Sequence, residues 1–463
     1  MSGPFVSPSP SPLSRRGFLA VTGALSLAAT LTACGGDDGS TGGSSAGPVG
    51  QADIDKAMKT PTELTFWTWV PNIDKEVALF EKKYPAVKVK VVNAGQGTPQ
   101  YTKLRTALKA GSGAPDMVQL EFQAIPTFTV TNSLLDLRPY GASALKSRFV
   151  DWTWGQVSGS DGEVWAIPQD TGPMGMLYRT DIFDKHGIQV PTTWTEFAAA
   201  ARKLHKADPD VYLTNLAANQ PAAWHGLLWQ AGGKPYVTSG RSDITVSVDD
   251  AVSRKLGDYW GALAKEGVIG VEPDFTDGWY AALNKGKYAT WLTGAWGPAF
   301  LSGSAKATAG KWRVAPLPQW DAAKPSAGNW GGSTTAVIRS TKNPIAAAVF
   351  AQFLNSDPAS AKMFATEQFF FPATKALLAD PSFLGAAPAF YGGQKVNQVF
   401  ADISTEVDPS FQWPPFLDRV ATDWTETVGK SLADKSDTVR ALGSWQSRIT
   451  TFAKSQGFTV KGG

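Results

Sequence analysis

The sequence predicts an α/β fold in two lobes, and three observations carry that prediction. Its 463 residues are too many for one hydrophobic core. From residue 63 to residue 120, strand and helix patterns alternate, which is typical of a mostly parallel sheet with helices on both faces. Residues 161–183 then form an apolar strand that breaks at Gly172 and Pro173 before a second apolar strand. We interpret this break as a hinge where the chain crosses between lobes.

The first lobe begins with three predicted strands separated by helices. Alternating apolar residues predict strands at residues 63–69 and 87–91, and a third strand is predicted at residues 117–120, after the stretch G-S-G-A-P-D. One helix begins after Asp74, whose side chain can cap it, and ends at Pro85, while a second spans residues 98–109. In such sheets, ligands gather at the carboxyl ends of the strands. We therefore expect a ligand beside residues 69–72 and 119–123.

The second lobe is expected to begin after the break at residues 169–173. Thr193 and Glu196 form a capping box that starts a helix with one apolar face. Residues 289–300 repeat the pattern of the first break, with a buried strand followed by glycine, and we interpret them as the second crossing. The predicted first lobe therefore comprises residues 59–168 and 289–338. The predicted second lobe comprises residues 169–288 and 339–463, with helices at its carboxyl end.

The amino-terminal residues are predicted to form an export signal. Residues 14–19 carry the twin-arginine pattern S-R-R-G-F-L, and an apolar run follows as far as residue 31. Gly23 breaks this run, which is too short to span a bilayer comfortably. The run ends in L-T-A-C, which resembles the lipobox of bacterial lipoproteins, where cleavage precedes the cysteine and its thiol takes a lipid. We predict a signal peptide at residues 1–33 and a lipid on Cys34.

Cys34 is the only cysteine of the chain. It could instead be a buried thiol or a nucleophile, but a stretch rich in Gly, Ser and Asp follows it and offers no fold around it. Residues 34–58 are therefore expected to be a lipidated cysteine and its flexible tether. The protein would then be exported by the twin-arginine route and held outside the cell, on the outer face of the cytoplasmic membrane.

The composition argues against several function classes. Lys and Arg number 43 against 40 Asp and Glu, so the strongly basic balance of a nucleic-acid-binding protein is missing. The three histidines lack the paired spacing of metal ligands: His186, His205 and His225. The G-K-S sequence at residues 429–431 mimics a phosphate loop, but Trp424 stands where that loop needs glycine. We predict no metal, no cofactor and no catalytic residue.

Some 400 residues of the chain resemble the extracellular solute-binding proteins of ABC sugar importers, the group that includes maltodextrin-binding protein. Besides the lipobox, the resemblance rests on motifs in the family's order: L-T-F-W-T-W at 64–69, G-A-P-D-M-V at 113–118, W-A-I-P-Q-D-T-G-P-M at 165–174, L-N-K-G-K-Y-A-T-W-L-T-G-A-W at 283–296, and W-G-G-S-T-T-A-V-I at 330–338 with S-T-K-N-P-I-A-A-A-V-F-A-Q-F-L at 340–354. One departure is K-Y-A-T at 287–290, where relatives commonly carry a small residue and methionine.

This resemblance implies a periplasmic-binding-protein-like fold, with two lobes joined by hinge segments. It also implies that the lobes close on a sugar and that the protein docks on the permease subunits of an ABC importer. We expect a monomer that captures a carbohydrate, most simply an oligosaccharide. Closure requires the ligand to touch both lobes, because only then does the closed state gain contacts that the open state lacks.

The 18 tryptophans fit a sugar ligand, because flat rings can cover the C–H face of a sugar. Trp69, Trp296 and Trp330 are the main stacking candidates, since each lies where glycine or proline breaks a strand. Further candidates are Trp224, Trp279 and Trp413. Each of these could instead be a core residue, because tryptophan is mostly buried on average. Helical patterns place Trp194, Trp260 and Trp424 in the core.

Carboxylates and amides are expected to hold the rim of sugar hydroxyls. Asp170 in the first hinge and Glu121 after the third strand are the main acceptors, with Asn72 and Gln123 as further candidates. Asp116 is expected to hold loop backbone instead. Gln220 is a possible wall residue of the second lobe.

Two other functions compete with sugar capture. The same fold could bind a non-sugar solute such as a polyol, a phosphate ester or a peptide, although the predicted cleft segments offer no arginine cluster for a phosphate. A secreted glycosidase would need two carboxylates at a fixed separation. Glu121 and Asp170 could be nominated for that role, but nothing in the sequence requires them to pair.

Overall fold

The computed structural model describes residues 47–240 and 242–461. The predicted signal peptide and Cys34 lie outside the described residues. Within the described part, no helix is both long enough and apolar enough to cross a membrane. The predicted tether is wrong at its end, because Gln51–Lys59 forms a helix that buries Met58 and packs against the helix Pro344–Ser356.

The chain alternates strands and helices before a mainly helical end. The strands are β1 (Thr62–Trp67), β2 (Val87–Val92), β3 (Met117–Glu121), β4 (Ala166–Pro168), β5 (Met174–Arg179), β6 (Tyr236–Ser239), β7 (Asp243–Val246), β8 (Thr290–Gly294), β9 (Trp312–Pro316), β10 (Ser333–Val337) and β11 (Thr459–Lys461).

The α-helices, in chain order, are α1 (Gln51–Lys59), α2 (Asp74–Lys83), α3 (Thr98–Ala110), α4 (Ile125–Val130), α5 (Asp151–Val157), α6 (Thr180–Lys185), α7 (Trp194–Ala207), α8 (Pro221–Gln230), α9 (Ala251–Glu266), α10 (Asp277–Lys285), α11 (Gly297–Ser304), α12 (Pro344–Ser356), α13 (Pro358–Thr366), α14 (Lys375–Leu378), α15 (Pro381–Leu384), α16 (Val396–Ser404), α17 (Leu417–Trp424), α18 (Lys430–Ala433) and α19 (Thr438–Ser455). A π-helical turn, Thr425–Gly429, joins α17 to α18.

The first sheet has five strands in the order β2-β1-β3-β10-β4. The pairings of β1 with β2 and with β3 are parallel, as the strand–helix alternation predicted. β10 enters from much later in the chain and pairs antiparallel with both β3 and β4. In β2, Val87 and Val89 are buried while Lys88 and Lys90 are exposed, so the alternating sequence sets which face packs on the core.

The second sheet differs from the mostly parallel sheet that the sequence led us to expect. Its order is β8-β5-β9, and both pairings are antiparallel. A third sheet, β11-β7-β6, shares a hydrophobic core with β5 and β8. β4 belongs to the first sheet and β5 to the second, so the chain passes from one sheet to the other at residues 169–173.

The predicted second crossing is wrong. Residues 289–300 contain β8, which stays in the second sheet beside β5. The chain returns to the first sheet only between β9 and β10, at residues 317–332. α12 likewise packs on β10 and β4, although residues 339–463 were predicted in the second lobe. An apolar strand does not encode which distant strand it will pair with, and this explains the error.

Hydrogen bonds join the two crossing segments side by side. The Trp330 amide donates to the Gly172 carbonyl at 2.8 Å, and the Gly172 amide donates to Asn329 Oδ1 at 2.9 Å. A third segment joins them, because the Thr171 amide donates to the Phe371 carbonyl at 2.8 Å. A Cβ on Gly172 would lie 1.9 Å from the Trp330 carbonyl oxygen, so only glycine allows this approach.

Several local predictions are confirmed. Thr193 and Glu196 form the capping box of α7. Asp116 accepts a hydrogen bond from the Thr65 amide at 2.8 Å and so holds loop backbone. The tryptophans assigned to helical core positions are all buried: Trp194, Trp260 and Trp424.

Candidate functional site

The first sheet brings three predicted polar residues to one edge. β3 ends at Glu121 and β4 ends two residues before Asp170, and both strands flank the start of β10. Ser333 is the shared neighbour. It lies opposite Glu121 in the β3–β10 pairing, and its amide donates to Asp170 Oδ1 at 3.0 Å. Gln123 follows in the turn after β3 and is buried. Glu121, Gln123 and Asp170 therefore meet where the first sheet joins the hinge.

Asp170 is a buried carboxyl group with few compensating contacts. It is 7% exposed, and Oδ1 accepts both the Ser333 amide and Gln169 Nε2, the latter at 3.2 Å. Burial raises the pKa of Asp170 from 3.8 to about 7, these two bonds oppose the rise, and the nearby charge of Glu121 adds to it. Oδ2 accepts neither bond, which leaves that oxygen for a hydroxyl donor.

Glu121 is positioned by an aromatic hydroxyl. The Tyr101 hydroxyl donates to Glu121 Oε2 at 2.9 Å and accepts the Glu121 amide at 3.1 Å. Desolvation raises the pKa of Glu121, while bonds from Tyr101 and Gln123 lower it. Trp69 packs edge-on against Tyr101, with ring centroids 6.2 Å apart, and remains half-buried. These contacts place one predicted stacking residue beside one predicted acceptor.

The second sheet contributes an aromatic cluster at the hinge. Trp296 and Trp330 pack edge to face, with centroids 4.9 Å apart, and Trp296 Nε1 donates to the Trp330 carbonyl at 2.7 Å. Trp279 and Trp291 extend the cluster and are buried. Trp296 is half-buried, so part of its ring faces solvent. Of these tryptophans, Trp296 offers the most surface to a ligand.

Phe275 belongs to this cluster and was missed by the sequence analysis. Its ring contacts Trp279, Trp296 and Trp330, with centroids 5.5, 6.0 and 6.3 Å away, and it remains 36% exposed. Its backbone has φ 57°, a left-handed conformation that costs a non-glycine residue about 1–2 kcal/mol. The only sequence signal was its place in an irregular segment before α10, which is too weak to identify a site residue.

Trp413 lines a cavity of about 450 Å³. The cavity also contacts Phe122 of the first sheet's edge and Thr238 of β6, so its walls come from both parts of the fold. The segment carrying Trp413 is tied to each wall, because Gln156 Nε2 donates to the Phe411 carbonyl at 2.7 Å and the Thr238 amide donates to Gln412 Oε1 at 2.9 Å. Trp413 is itself buried, and it packs edge-on against Phe411.

Two predicted residues do not join this arrangement. Trp224 is fully buried in the core and packs against Trp424, with centroids 6.0 Å apart, so its ring has no free face for a ligand. We therefore revise Trp224 from a ligand contact to a core residue. Asn72 is exposed in the turn before α2 with φ 57°, a conformation that asparagine tolerates well. A second cavity, of about 360 Å³ near Phe371 and Tyr391, is lined by none of the predicted site residues.

The described residues offer no group of three or more His, Cys, Asp or Glu side chains that could hold a metal ion. His225 is buried against Tyr236, and desolvation lowers its pKa to about 4. His186 is the C-cap residue of α6. The site is thus an arrangement of carboxyl groups, amides and aromatic rings, which suits binding of a neutral polar molecule.

Two sheets joined by paired hinge segments, with acceptors on one side and rings on the other, define a two-lobed solute-binding protein. A family profile described as bacterial extracellular solute-binding protein matches residues 67–361. The chain belongs to this family.

Three relatives illustrate the likeness. The arabinooligosaccharide-binding protein of Halalkalibacterium halodurans is 24% identical over 79% of this chain and 84% of its own length. The lactose-binding protein of Rhizobium radiobacter is 25% identical over 78% of this chain and 86% of its own. The solved structure of an ABC transporter associated binding protein from B. animalis subsp. lactis Bl-04, in complex with beta-1,6-galactobiose, is 32% identical with a TM-score of 0.75. That match covers 86% of this chain and 99% of the other.

Proposed function

We propose that this protein captures a short oligosaccharide outside the cell and delivers it to the permease of an ABC importer. The observation that carries the proposal is the convergence of Asp170 and Glu121 with the Trp296–Trp330 pair at the hinge. A sugar presents both a rim of hydroxyl donors and an apolar face, so it can use the carboxylates and the rings together. Contacts with both sides would favour the closed arrangement of the lobes.

The relatives support a carbohydrate as the ligand. Two of the three relatives are named for binding an arabinooligosaccharide and lactose, and the third was solved in complex with beta-1,6-galactobiose. Two of these sugars are disaccharides with a β-linked galactose, and we propose a β-galactoside disaccharide as the first ligand to test.

We further propose how the lobes divide. The first lobe would comprise β1 to β4 with β10, α12 and α13, and the second would comprise β5 to β9 with α16 to α19. Contacts of α12 with β10 and β4, and of α16 with β9 and β5, support this division. The hinge would then consist of residues 169–173, 317–332 and 371–372.

The export and anchoring of the chain are also proposals. The twin-arginine pattern and the L-T-A-C sequence support export by that route, removal of residues 1–33 and lipidation of Cys34. A monomer on the outer face of the membrane would then present its ligand to the permease subunits. Metabolic labelling with a radioactive fatty acid should mark the wild type and leave Cys34→Ser unlabelled. Label on both proteins would refute the anchor.

A ligand screen tests the sugar assignment. Purified protein is melted with β-1,6-galactobiose, lactose, arabinooligosaccharide or maltose, and with glycerol 3-phosphate and a tripeptide as non-sugar probes. We expect at least one sugar to raise Tm, because ligand binding to the folded state stabilises it by mass action. Tryptophan fluorescence titration of the hits then gives Kd. A raised Tm with glycerol 3-phosphate or the tripeptide alone would overturn the assignment.

The same samples test the absence of catalysis. We propose that Glu121 and Asp170 bind sugar without cleaving it. Overnight incubation with each oligosaccharide should give stoichiometric binding and leave the sugar intact by chromatography. Release of monosaccharides by the wild type, lost in both Glu121→Gln and Asp170→Asn, would instead identify a glycosidase.

A further inference from the structure

Asp274 is a buried carboxylate that is not among the predicted ligand-binding residues. It is 6% exposed, although residues 272, 273 and 275–278 around it are all exposed. Its amide donates to Asn219 Oδ1 at 3.2 Å, which fixes the backbone at this point. Among the described residues, no group donates a hydrogen bond to the buried Oδ1 of Asp274. A carboxyl oxygen is thus withdrawn from water without a partner from residues 47–240 or 242–461.

A buried carboxyl oxygen without a hydrogen-bond donor destabilises the folded protein unless a bound molecule supplies the donor. A buried polar atom without a hydrogen bond costs about 1–3 kcal/mol, and more when it is charged. Burial raises the pKa of Asp274 to about 6, while side-chain bonds from Gln220 and Asn219 oppose the rise. These two amides stand at the start of α8, beside the carboxylate. The arrangement is therefore a polar cluster that lacks one hydrogen-bond donor.

The polar cluster is next to the aromatic cluster along the chain. Phe275, the next residue, has its ring against Trp296 and Trp330. The backbone at Phe275 is left-handed, and the two consecutive side chains belong to different clusters. Asp274 is buried in the polar cluster, and the Phe275 ring is partly exposed in the aromatic cluster. Backbone strain of this kind persists only where the surrounding structure enforces it. A polar acceptor thus lies one residue from a ring face, which is the pairing that a sugar ring requires.

We propose that Asp274, with Asn219 and Gln220, is a hydroxyl-binding subsite of the second lobe, and that Phe275 and Trp296 form its aromatic wall. The missing donor is a hydroxyl of the bound sugar, which donates to Asp274 Oδ1, while the two amides bind neighbouring hydroxyls. This inference rests on the proposed function and adds to it. Asp170 and Glu121 hold the sugar from the first lobe, and Asp274 holds it from the second, so closure gains a polar contact from each side.

Replacement of Asp274 separates a ligand contact from a structural role. The full-length protein and Asp274→Asn are compared in tryptophan fluorescence titrations with β-1,6-galactobiose, lactose and arabinooligosaccharide, and in melts without sugar. We expect Kd to rise at least about tenfold for each sugar that the wild type binds, because a charge-assisted acceptor is lost. The Tm without sugar should stay unchanged or rise, because the variant no longer buries a carboxylate that lacks a donor.

Asp277→Asn is the matched control, since Asp277 lies three residues away in the first turn of α10 and is exposed. It should bind each sugar as the wild type does. Gln220→Ala provides a second variant that keeps the carboxylate, and it should raise Kd by a smaller factor.

The outcomes distinguish the inference from the proposed function. If the wild type binds sugar and Asp274→Asn binds it with the same Kd, the subsite is refuted and the proposed function stands. A fall in Tm without sugar, together with an unchanged Kd for Gln220→Ala, would assign Asp274 a structural role and also refute the subsite. If the wild type binds none of the sugars, the proposed function fails and the inference fails with it.

Discussion

The two sides of the hinge use different chemistry. The first-sheet side has the carboxyl groups of Asp170 and Glu121, both with raised pKa values. Its rings are fewer: Tyr101 positions Glu121, and Trp69 packs edge-on against Tyr101. The second-sheet side has a cluster of rings around Trp296, with one carboxylate at its margin. Neither side alone offers a sugar both its polar rim and its apolar face in full. The difference explains why a ligand of this kind would bridge the lobes rather than bind to one of them.

The sheets behind the two sides also differ. The parallel strands β1 and β3 end at the same edge, so their carboxyl ends bring polar residues together. The antiparallel strands of the second sheet have no common carboxyl edge, and the rings gather instead where β8 ends and the hinge begins. Four variants test this comparison, and they are taken in order of decreasing expected effect.

The largest effect is expected from the pH dependence of Asp170. The folded protein holds the Asp170 proton more tightly than the unfolded chain does. The contribution of Asp170 to the free energy of unfolding is therefore fully present below pH 4, and it is lost as pH rises through about 7. A pKa raised from 3.8 to about 7 corresponds to at most about 4 kcal/mol. Asp170→Asn should therefore gain stability relative to the wild type as pH rises from 4 to 8, measured by urea unfolding without sugar.

The comparison with Asp170→Asn is needed because other groups titrate in the same range. Glu121 and Asp274 have raised pKa values and the same sign as Asp170, whereas His225 has a lowered pKa and loses stability as pH falls through about 4. These contributions largely cancel in the difference between the two proteins. If the difference in free energy of unfolding between the wild type and Asp170→Asn stayed constant between pH 4 and 8, the pKa of Asp170 would not be raised in the folded protein.

Gly172→Ala should disrupt the hinge, where Gly172 packs closely against Trp330. Its Cβ would lie 1.9 Å from the Trp330 carbonyl oxygen, and a backbone atom cannot move aside as a side chain can. Overpacking of this severity is expected to cost about 3 kcal/mol and to weaken sugar binding as well. Gly303→Ala is the control, since its Cβ would meet no heavy atom of the described residues within 4 Å. Equal melting curves for both variants would refute the tight hinge.

Trp296→Ala tests the aromatic side directly. The substitution removes the half-buried ring and its hydrogen bond to the Trp330 carbonyl. We expect sugar binding to weaken by about 1–2 kcal/mol, the scale of one aromatic contact with its area. Trp320→Ala is a suitable control, because Trp320 is also half-buried but packs against Trp194 and Tyr259 rather than against the rings around Trp296. If isothermal titration gave equal affinities for the wild type and Trp296→Ala, Trp296 would be a packing residue.

The sequence predicted the positions of the carboxyl groups better than those of the tryptophans. Asp170 and Glu121 lie together at one edge of the first sheet, as their places after a proline break and a strand end indicated, because such breaks and ends are local patterns. The second crossing could not be predicted in this way, because the partner of β8 is set by packing between distant segments. Trp224 shows a further limit, since an apolar helix carries no sign of which tryptophan will be buried on all sides. Asp274 and Phe275 lie in an irregular segment without periodicity.

Tyr101→Phe should have the smallest effect and sharpen the comparison most. It keeps the ring that packs against Trp69 but removes the hydroxyl that bonds both the carboxylate and the amide of Glu121. The folded protein should lose about 1 kcal/mol by urea unfolding, the usual net value of a hydrogen bond. Sugar binding should weaken by a similar amount, because Glu121 is no longer held in place. Loss of stability with unchanged affinity would mean that Glu121 does not touch the sugar, and Asp170 would then be the principal acceptor of the first lobe.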